Sequence, residues 1–157
     1  MEKLFTPMPK PEPGDWLASQ KEKPQPFDSY KLPYVNFVTP DKRTIYLQPY
    51  GKFNKEFMEK LVAFCEVFYP GTLVKILPEK DLLASIPNIR HRKNCYGEQY
   101  VCDDILAYMK TCVPKDAYCV MGITLHDIYP GPNWNYVYGW ATYRARVGIF
   151  SFLRWDE

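Results

Sequence analysis

The chain has 157 residues, 46% of them hydrophobic and 24% charged, and a formal net charge of +2. That length suits one domain able to bury a core without disulfides or metal. Near-neutral charge argues against a nucleic-acid binder, which carries a basic stripe, and no run approaches the roughly 18 uninterrupted apolar residues of a membrane span.

The start, Met1-Glu2-Lys3-Leu4, lacks the apolar core of a signal peptide. The protein is therefore expected inside the cell, cytoplasmic or nuclear, with its five cysteines as reduced thiols. Residues 1–40 read as a Pro-rich extended arm, because Pro7, Pro9, Pro11, Pro13, Pro24, Pro26, Pro33 and Pro40 interrupt any ladder or helix. Trp16, Phe27, Tyr30 and Tyr34 are candidates to pin the arm to the body, residues 41–157.

Thr44–Tyr50 is a strand by its β-branched and aromatic content, and Gly51 ends it. Asn54 is placed to cap a helix. Phe57, Leu61, Phe64, Cys65 and Phe68 then recur as one apolar helical stripe. Pro70-Gly71 stops the helix. Thr72–Leu77 is a second strand, followed by a polar loop to about residue 100. The basic cluster Arg90-His91-Arg92-Lys93 lies in that loop and reads as solvated rather than phosphate-binding. A second helix spans Cys102–Cys112, with Asp103 and Asp104 in its first turn, where the helix dipole favours negative charge. Ile105, Leu106 and Met109 form its buried face.

Ala117–Thr124 is nearly continuous apolar sequence, the mark of a central strand covered on both faces. Tyr129-Pro130-Gly131-Pro132 is a turn. Trp134–Ala141 alternates with period two and puts four aromatics on one side. Val147–Leu153 is the last strand, joined to the previous one by a hairpin over 142–146. The early order favours crossovers and a largely parallel sheet, and the last pair an antiparallel edge. The aromatic excess, 17% of residues, suits either a sheet core or a binding surface.

Residues for catalysis are scarce. A zincin site uses two His one helical turn apart with a Glu between them, whereas the two His here, His91 and His126, stand 35 positions apart (126 − 91). Cys95, Cys102, Cys112 and Cys119 are spaced by seven, ten and seven, with no C-x₂₋₄-C knuckle. They read as free thiols. Phosphate-binding glycine loops and a nucleophile elbow are absent from the sequence. His126-Asp127 does not form a pair, since neighbours in extended chain point to opposite sides.

Four segments nevertheless carry a pattern. They are Asp116–Thr124, Asp127-Ile128-Tyr129-Pro130, Trp134-Asn135-Tyr136-Val137-Tyr138-Gly139 and Val147-Gly148-Ile149-Phe150-Ser151-Phe152. In this order they resemble the archaemetzincins, a family of metzincin-type zinc metallopeptidases. Asp15-Trp16 and Lys42–Gln48 resemble the family's front section. The resemblance implies an α/β (α+β) fold: a zincin-like N-terminal subdomain with a mixed five-stranded sheet, an antiparallel edge strand and two packing helices. It also implies that Trp134, Asn135, Tyr136, Val137, Tyr138 and Gly139 belong to the edge strand that pairs with extended peptide substrate. Zinc is the family's cofactor, held by an H-E-x-x-H-x-x-G-x-x-H motif that follows the V-G-I-F-S-F strand.

This sequence closes with Arg154-Trp155-Asp156-Glu157. No catalytic residue and no metal ligand can be carried over, so these residues are expected to be inactive by themselves. Two departures are specific. Trp140 stands where the family usually has Gln, and Tyr143-Arg144-Ala145-Arg146 replaces a turn usually ending in Asp-Gly. Losing that glycine makes a positive-φ turn residue less comfortable. Two readings follow. One is an incomplete peptidase with an uncovered apolar face and a dependence on a partner or chaperone. The other is a noncatalytic peptide- or protein-interaction module. Ile149, Phe150, Phe152 and Leu153 leave both faces of the last strand apolar, which favours the first.

Overall fold

The computed structural model describes residues 6–19, 23, 26–30 and 36–155. Its contacts divide the chain into two units, Met1–Val35 and Asn36–Glu157. The first unit holds two single helical turns, α1 (Trp16–Ser19) and α2 (Phe27–Tyr30), where the prolines predicted only extended chain. Both turns start just after a residue suited to that place. The Asp15 carboxylate accepts the Glu12 N–H at 2.8 Å. Pro26, which has no N–H to leave unpaired, precedes α2 and accepts the Ser29 hydroxyl at 2.7 Å. Trp16 and Phe27 are exposed. Pro24, Pro33 and Tyr34 lie outside the described residues, as does the side chain of Tyr30.

The second unit runs β1 (Thr44–Tyr50), α3 (Lys55–Phe68), β2 (Leu73–Ile76), α4 (Leu82–Ser85), β3 (His91–Asn94), β4 (Gly97–Val101), α5 (Cys102–Thr111), β5 (Ala117–Thr124), β6 (Asp127–Tyr129), β7 (Gly139–Thr142) and β8 (Val147–Ser151). The main sheet has five strands in the order β2-β1-β5-β8-β7. All its pairings are parallel except β7 with β8, so the mixed sheet with an antiparallel edge is as the sequence implied. Helix α5 covers one face, where Tyr46, Tyr50, Ile105, Met109, Val120 and Ile149 form the larger core. Helix α3 covers the other, against Ile45, Leu47 and Ile123. Gly122 allows α5 to approach: a Cβ there would meet Ile149 Cδ1 at 2.8 Å and Met109 Sδ at 3.2 Å.

Three expectations need correction. The stretch after β2 is no loop, for it contains α4 and the hairpin β3–β4. With β6 this hairpin makes a second, three-stranded sheet, β3-β4-β6. The hairpin is built by Asn94, whose side chain accepts the Tyr96 N–H at 2.8 Å, and by Gly97 at φ 101°. Its polar strands lack the apolar alternation that marks a half-buried strand. Second, the inward stripe of α3 is Phe57, Met58, Leu61, Val62 and Cys65, with Met58 and Cys65 buried and the others partly so. Phe64 and Phe68 are each 62% exposed and stack on one another at 5.6 Å. Strand β2 ends the sheet on that side, so these rings cover each other instead of a strand. Asn54 does cap the helix, accepting the Glu56 N–H at 2.7 Å. Third, β5 is fully buried only toward α5. On the α3 side Ile123 is buried as well, but Cys119 and Met121 are only partly so.

The β7–β8 hairpin closes over 143–146 as expected, with Thr142 opposite Val147. Arg146 occupies the left-handed region at φ 58°, the conformation for which glycine is suited. Its guanidinium donates to the Ala117 carbonyl at 2.6 Å, a charge-assisted bond that offsets the strain. Two substitutions separate these terms. Arg146→Ala keeps the strain and loses the bond; Arg146→Gly loses the bond and relieves the strain. Urea unfolding should place the Gly variant above the Ala variant by about 1 kcal/mol. Equal stabilities would show that the left-handed backbone costs nothing here.

Candidate functional site

Strand β7 is the end strand of the main sheet. The Ser151 N–H donates to the Tyr138 carbonyl at 2.8 Å, and Gly139 lies opposite Phe150. In an antiparallel pair, hydrogen-bonded and non-bonded positions alternate. Trp140 and Thr142 therefore bond inward to β8, while Gly139 and Ala141 turn their N–H and C=O groups outward. Among the described strands, none pairs with that outer edge. Beside it lies a groove of about 460 Å³ lined by Met121, Gly139, Trp140, Ala141, Tyr143 and Phe150.

The six residues singled out in the sequence divide here. Only Gly139 is in β7; Trp134, Asn135, Tyr136, Val137 and Tyr138 form the segment leading to it. Side chains capture the carbonyls that a longer strand would need for pairing. Arg92 donates through Nη2 to the Trp134 carbonyl at 2.6 Å and to the Asn135 carbonyl at 2.9 Å. Gln99 Nε2 donates to the Asn135 carbonyl at 2.8 Å. The Val137 N–H donates to Ile128 in β6 at 3.1 Å. Aromatic alternation suggested a strand, but residues 134–138 join no ladder; Trp134 packs edge-on to Trp140, and Tyr136 edge-on to Tyr138.

The segment rests on a buried polar hub that sequence reasoning missed. Asp127, only 1% exposed, accepts Arg154 Nε at 3.0 Å and Nη2 at 2.7 Å. The same carboxylate accepts Asn94 Nδ2 at 2.6 Å, Gln99 Nε2 at 2.9 Å and its neighbour's amide, Ile128 N–H, at 3.2 Å. Burial would raise the Asp127 carboxyl, yet the bonds from Arg154 and Asn94 hold it below its ordinary value. The Arg154 guanidinium lies 3.9 Å from each of the Tyr96 and Tyr136 ring centres, a cation–π arrangement. The hub thus ties β3, β4 and β6 to the chain leaving β8. Arg92, read as part of a solvated cluster, is instead half-buried with its guanidinium 4.0 Å over Tyr129. Arg90 is taken too, paired with Asp104 at 2.7 Å. The one available signal was that Asp127 and Arg154 sit within the quoted motif segments and at their end.

The residues present do not fit a zinc ion. Among the described residues, no three of His, Cys, Asp and Glu are grouped to hold a metal. His91 and His126 both lie against the Tyr100 ring, at 5.9 and 5.1 Å between ring centres. His91 Nδ1 contacts the Ile89 carbonyl at 3.2 Å. Burial lowers the His126 imidazole below its ordinary value. The cysteines are free; burial pushes Cys102 up to about 12 and Cys119 up to about 11. No catalytic step through zinc follows from these positions.

No family model matches the chain. Over an aligned span of 161 positions that covers 98% of the chain, it is 36% identical to archaemetzincin-2 from Homo sapiens and from Macaca fascicularis. Archaemetzincin-1 from Homo sapiens is 30% identical over 148 residues, covering 90% of this chain. The chain belongs to the archaemetzincin family. It spans 45% of the length of the archaemetzincin-2 relatives and 30% of archaemetzincin-1. The crystal structure of an archaemetzincin from Archaeoglobus fulgidus, complexed with malonate, superposes with a TM-score of 0.52 at 25% identity. That match covers 71% of this chain and 61% of the other. Against the family pattern, Trp140 replaces the usual Gln, and its indole N–H donates to Asp103 in the first turn of α5 at 3.1 Å. The edge strand is thereby tied to the helix beneath it. No described helix is long and apolar enough to cross a membrane.

Proposed function

We propose that these residues are the substrate-holding portion of an archaemetzincin-type zinc peptidase, and that they bind extended peptide without hydrolysing it unaided. The observation that carries this reading is the open outer edge of β7, with the outward amide groups of Gly139 and Ala141 beside an apolar groove. An extended peptide added to such an edge gains main-chain hydrogen bonds and places alternate side chains in the groove. Zinc would supply the hydrolytic chemistry in the family. The side chains described above give no set of ligands for it, so hydrolysis is assigned to residues other than these.

Two measurements test this. Incubated with a mixed peptide library and zinc, the 157-residue chain should give no cleavage that a chelator abolishes; such cleavage would overturn the reading. A fluorescent capped Ser-Val-Ser-Val-Ser peptide should bind, and Ala141→Pro should weaken binding about tenfold, equivalent to about 1.4 kcal/mol. Proline removes an outward N–H and no bond to β8, so the fold should tolerate it at an edge. Equal binding by both proteins would place the peptide elsewhere.

The incomplete-peptidase reading, with its dependence on a covering partner, is favoured over a noncatalytic interaction module by one feature. Phe57, Phe152, Phe150 and Trp155 form a chain of ring contacts at 5.0, 4.8 and 5.9 Å. Trp155 is 64% exposed, and aromatic surface of this kind is suited to burial against another polypeptide.

A further inference from the structure

We infer that Arg92 is a positioning residue for the peptide-holding edge, acting through the segment that leads into β7. The inference rests on the reading of β7 as that edge. Arg92 stands in β3, in the small sheet, and its described hydrogen bonds end short of β7 itself. Its guanidinium reaches three acceptors: the Trp134 carbonyl at 2.6 Å, the Asn135 carbonyl at 2.9 Å and Gln99 Oε1 at 2.6 Å. Gln99 in turn holds the Asn135 carbonyl from its amide end. One planar fork therefore fixes two consecutive carbonyls directly and a third contact through its neighbour.

The consequence lies a few residues on. After Asn135 the chain is passed from one sheet to the other. Val137 donates to Ile128 in β6, and Tyr138 accepts from Ser151 in β8. Strand β7 begins with the next residue. An end strand with one bonded side would otherwise fray, and a peptide would have to order it on arrival, losing affinity to the backbone entropy of each residue fixed. Arg92 removes that cost beforehand by tethering the entry to β7. Lysine cannot replace it, because a single ammonium at the end of a flexible stem lacks the rigid fork that meets three oxygens at once.

The test combines amide hydrogen exchange with binding of the same fluorescent Ser-Val-Ser-Val-Ser peptide, on the native chain, Arg92→Lys and Arg92→Met. The expected result is faster exchange confined to residues 137–142, with β1 amides unchanged, and peptide affinity reduced about tenfold in both variants. Faster exchange throughout the chain, with a matching loss of thermal stability, would overturn the proposal and make Arg92 a general stabiliser. Unchanged exchange with unchanged binding would overturn it as well. If the native chain does not bind the peptide, the reading of the edge fails, and Arg92 loses its role toward peptide even where its variants loosen β7. If the native chain binds and the variants bind equally, only the role of Arg92 fails.

Discussion

Asp127→Ala should destabilise the protein by about 3–5 kcal/mol, because it removes a buried carboxylate on which a mostly buried guanidinium, two side-chain amides and a backbone N–H converge. The Arg154 side chain is only 11% exposed, and it donates to Asp127 through both Nε and Nη2. Asn94 Nδ2 loses its acceptor as well, while Gln99 keeps the Asn135 carbonyl. The isosteric Asp127→Asn should fare no better. Oδ2 faces three donors, and Oδ1 faces Arg154 Nε and the Ile128 N–H, so either placement of an amide NH₂ points donor at donor. At this chain length the loss corresponds to a fall of about 10 °C in the unfolding midpoint. Thermal unfolding followed by circular dichroism checks it; a fall of a degree or two would mean the hub is wet and its charges are screened. The pH dependence has a definite sign. Asp127, Asp104 and Asp116 all lie below the ordinary carboxyl value of 3.8 in the folded chain. Their contribution is complete above that value and is lost as pH falls through the lower folded values. Acid unfolding of the native chain should therefore set in below about pH 4, and the Asp127→Ala variant should show a shallower acid limb.

The hub also shows where sequence reading reaches its limit. Strand β1, the cap at Asn54, helix α5 and strand β5 were legible because each announces itself locally, through periodicity, a capping side chain or a continuous apolar run. The positive φ at Arg146 was not legible: the loss of the family's glycine made a left-handed turn residue less expected there, and the structure keeps that conformation on an arginine held by the Ala117 carbonyl. Nor was the small sheet. Its strands β3 and β4 are polar, and what fixes them is pairing with β6 and the bonds of Arg92, Asn94 and Gln99 to groups 28 to 43 positions away. Nothing in a local window encodes such partners. The stretch Trp134–Tyr138 failed from the opposite side. Its alternation is a true strand pattern, but the carbonyls that would have entered a ladder are taken by Arg92 and Gln99, and the strand begins only at Gly139. Tertiary hydrogen bonding overrode propensity there. For the candidate edge, sequence therefore found the right neighbourhood and missed the residues that hold it.

Ile105→Ala should cost about 2–5 kcal/mol, while Phe64→Ser should stay within about 0.5 kcal/mol, although the sequence ranks both as core. Ile105 has no exposed surface and sits in the larger core with Tyr50, Met109, Val120 and Ile149. Removing three carbons forfeits their burial and leaves a cavity that close-packed neighbours fill only in part. Collapse is restricted on the sheet side, where Gly122 already lets Ile149 and Met109 approach as closely as backbone permits. Phe64 is 62% exposed with Phe68 as its ring partner, so serine gives up one stacking contact and little burial. The comparison also decides what α3 contributes. If Phe64→Ser proved as damaging as Ile105→Ala, the end of α3 would have to be buried in solution against something the described chain does not supply. Matched urea titrations of the two variants give the answer through their midpoints, provided the slopes agree, because a changed slope would mean that the unfolded or folded state had altered its exposed surface.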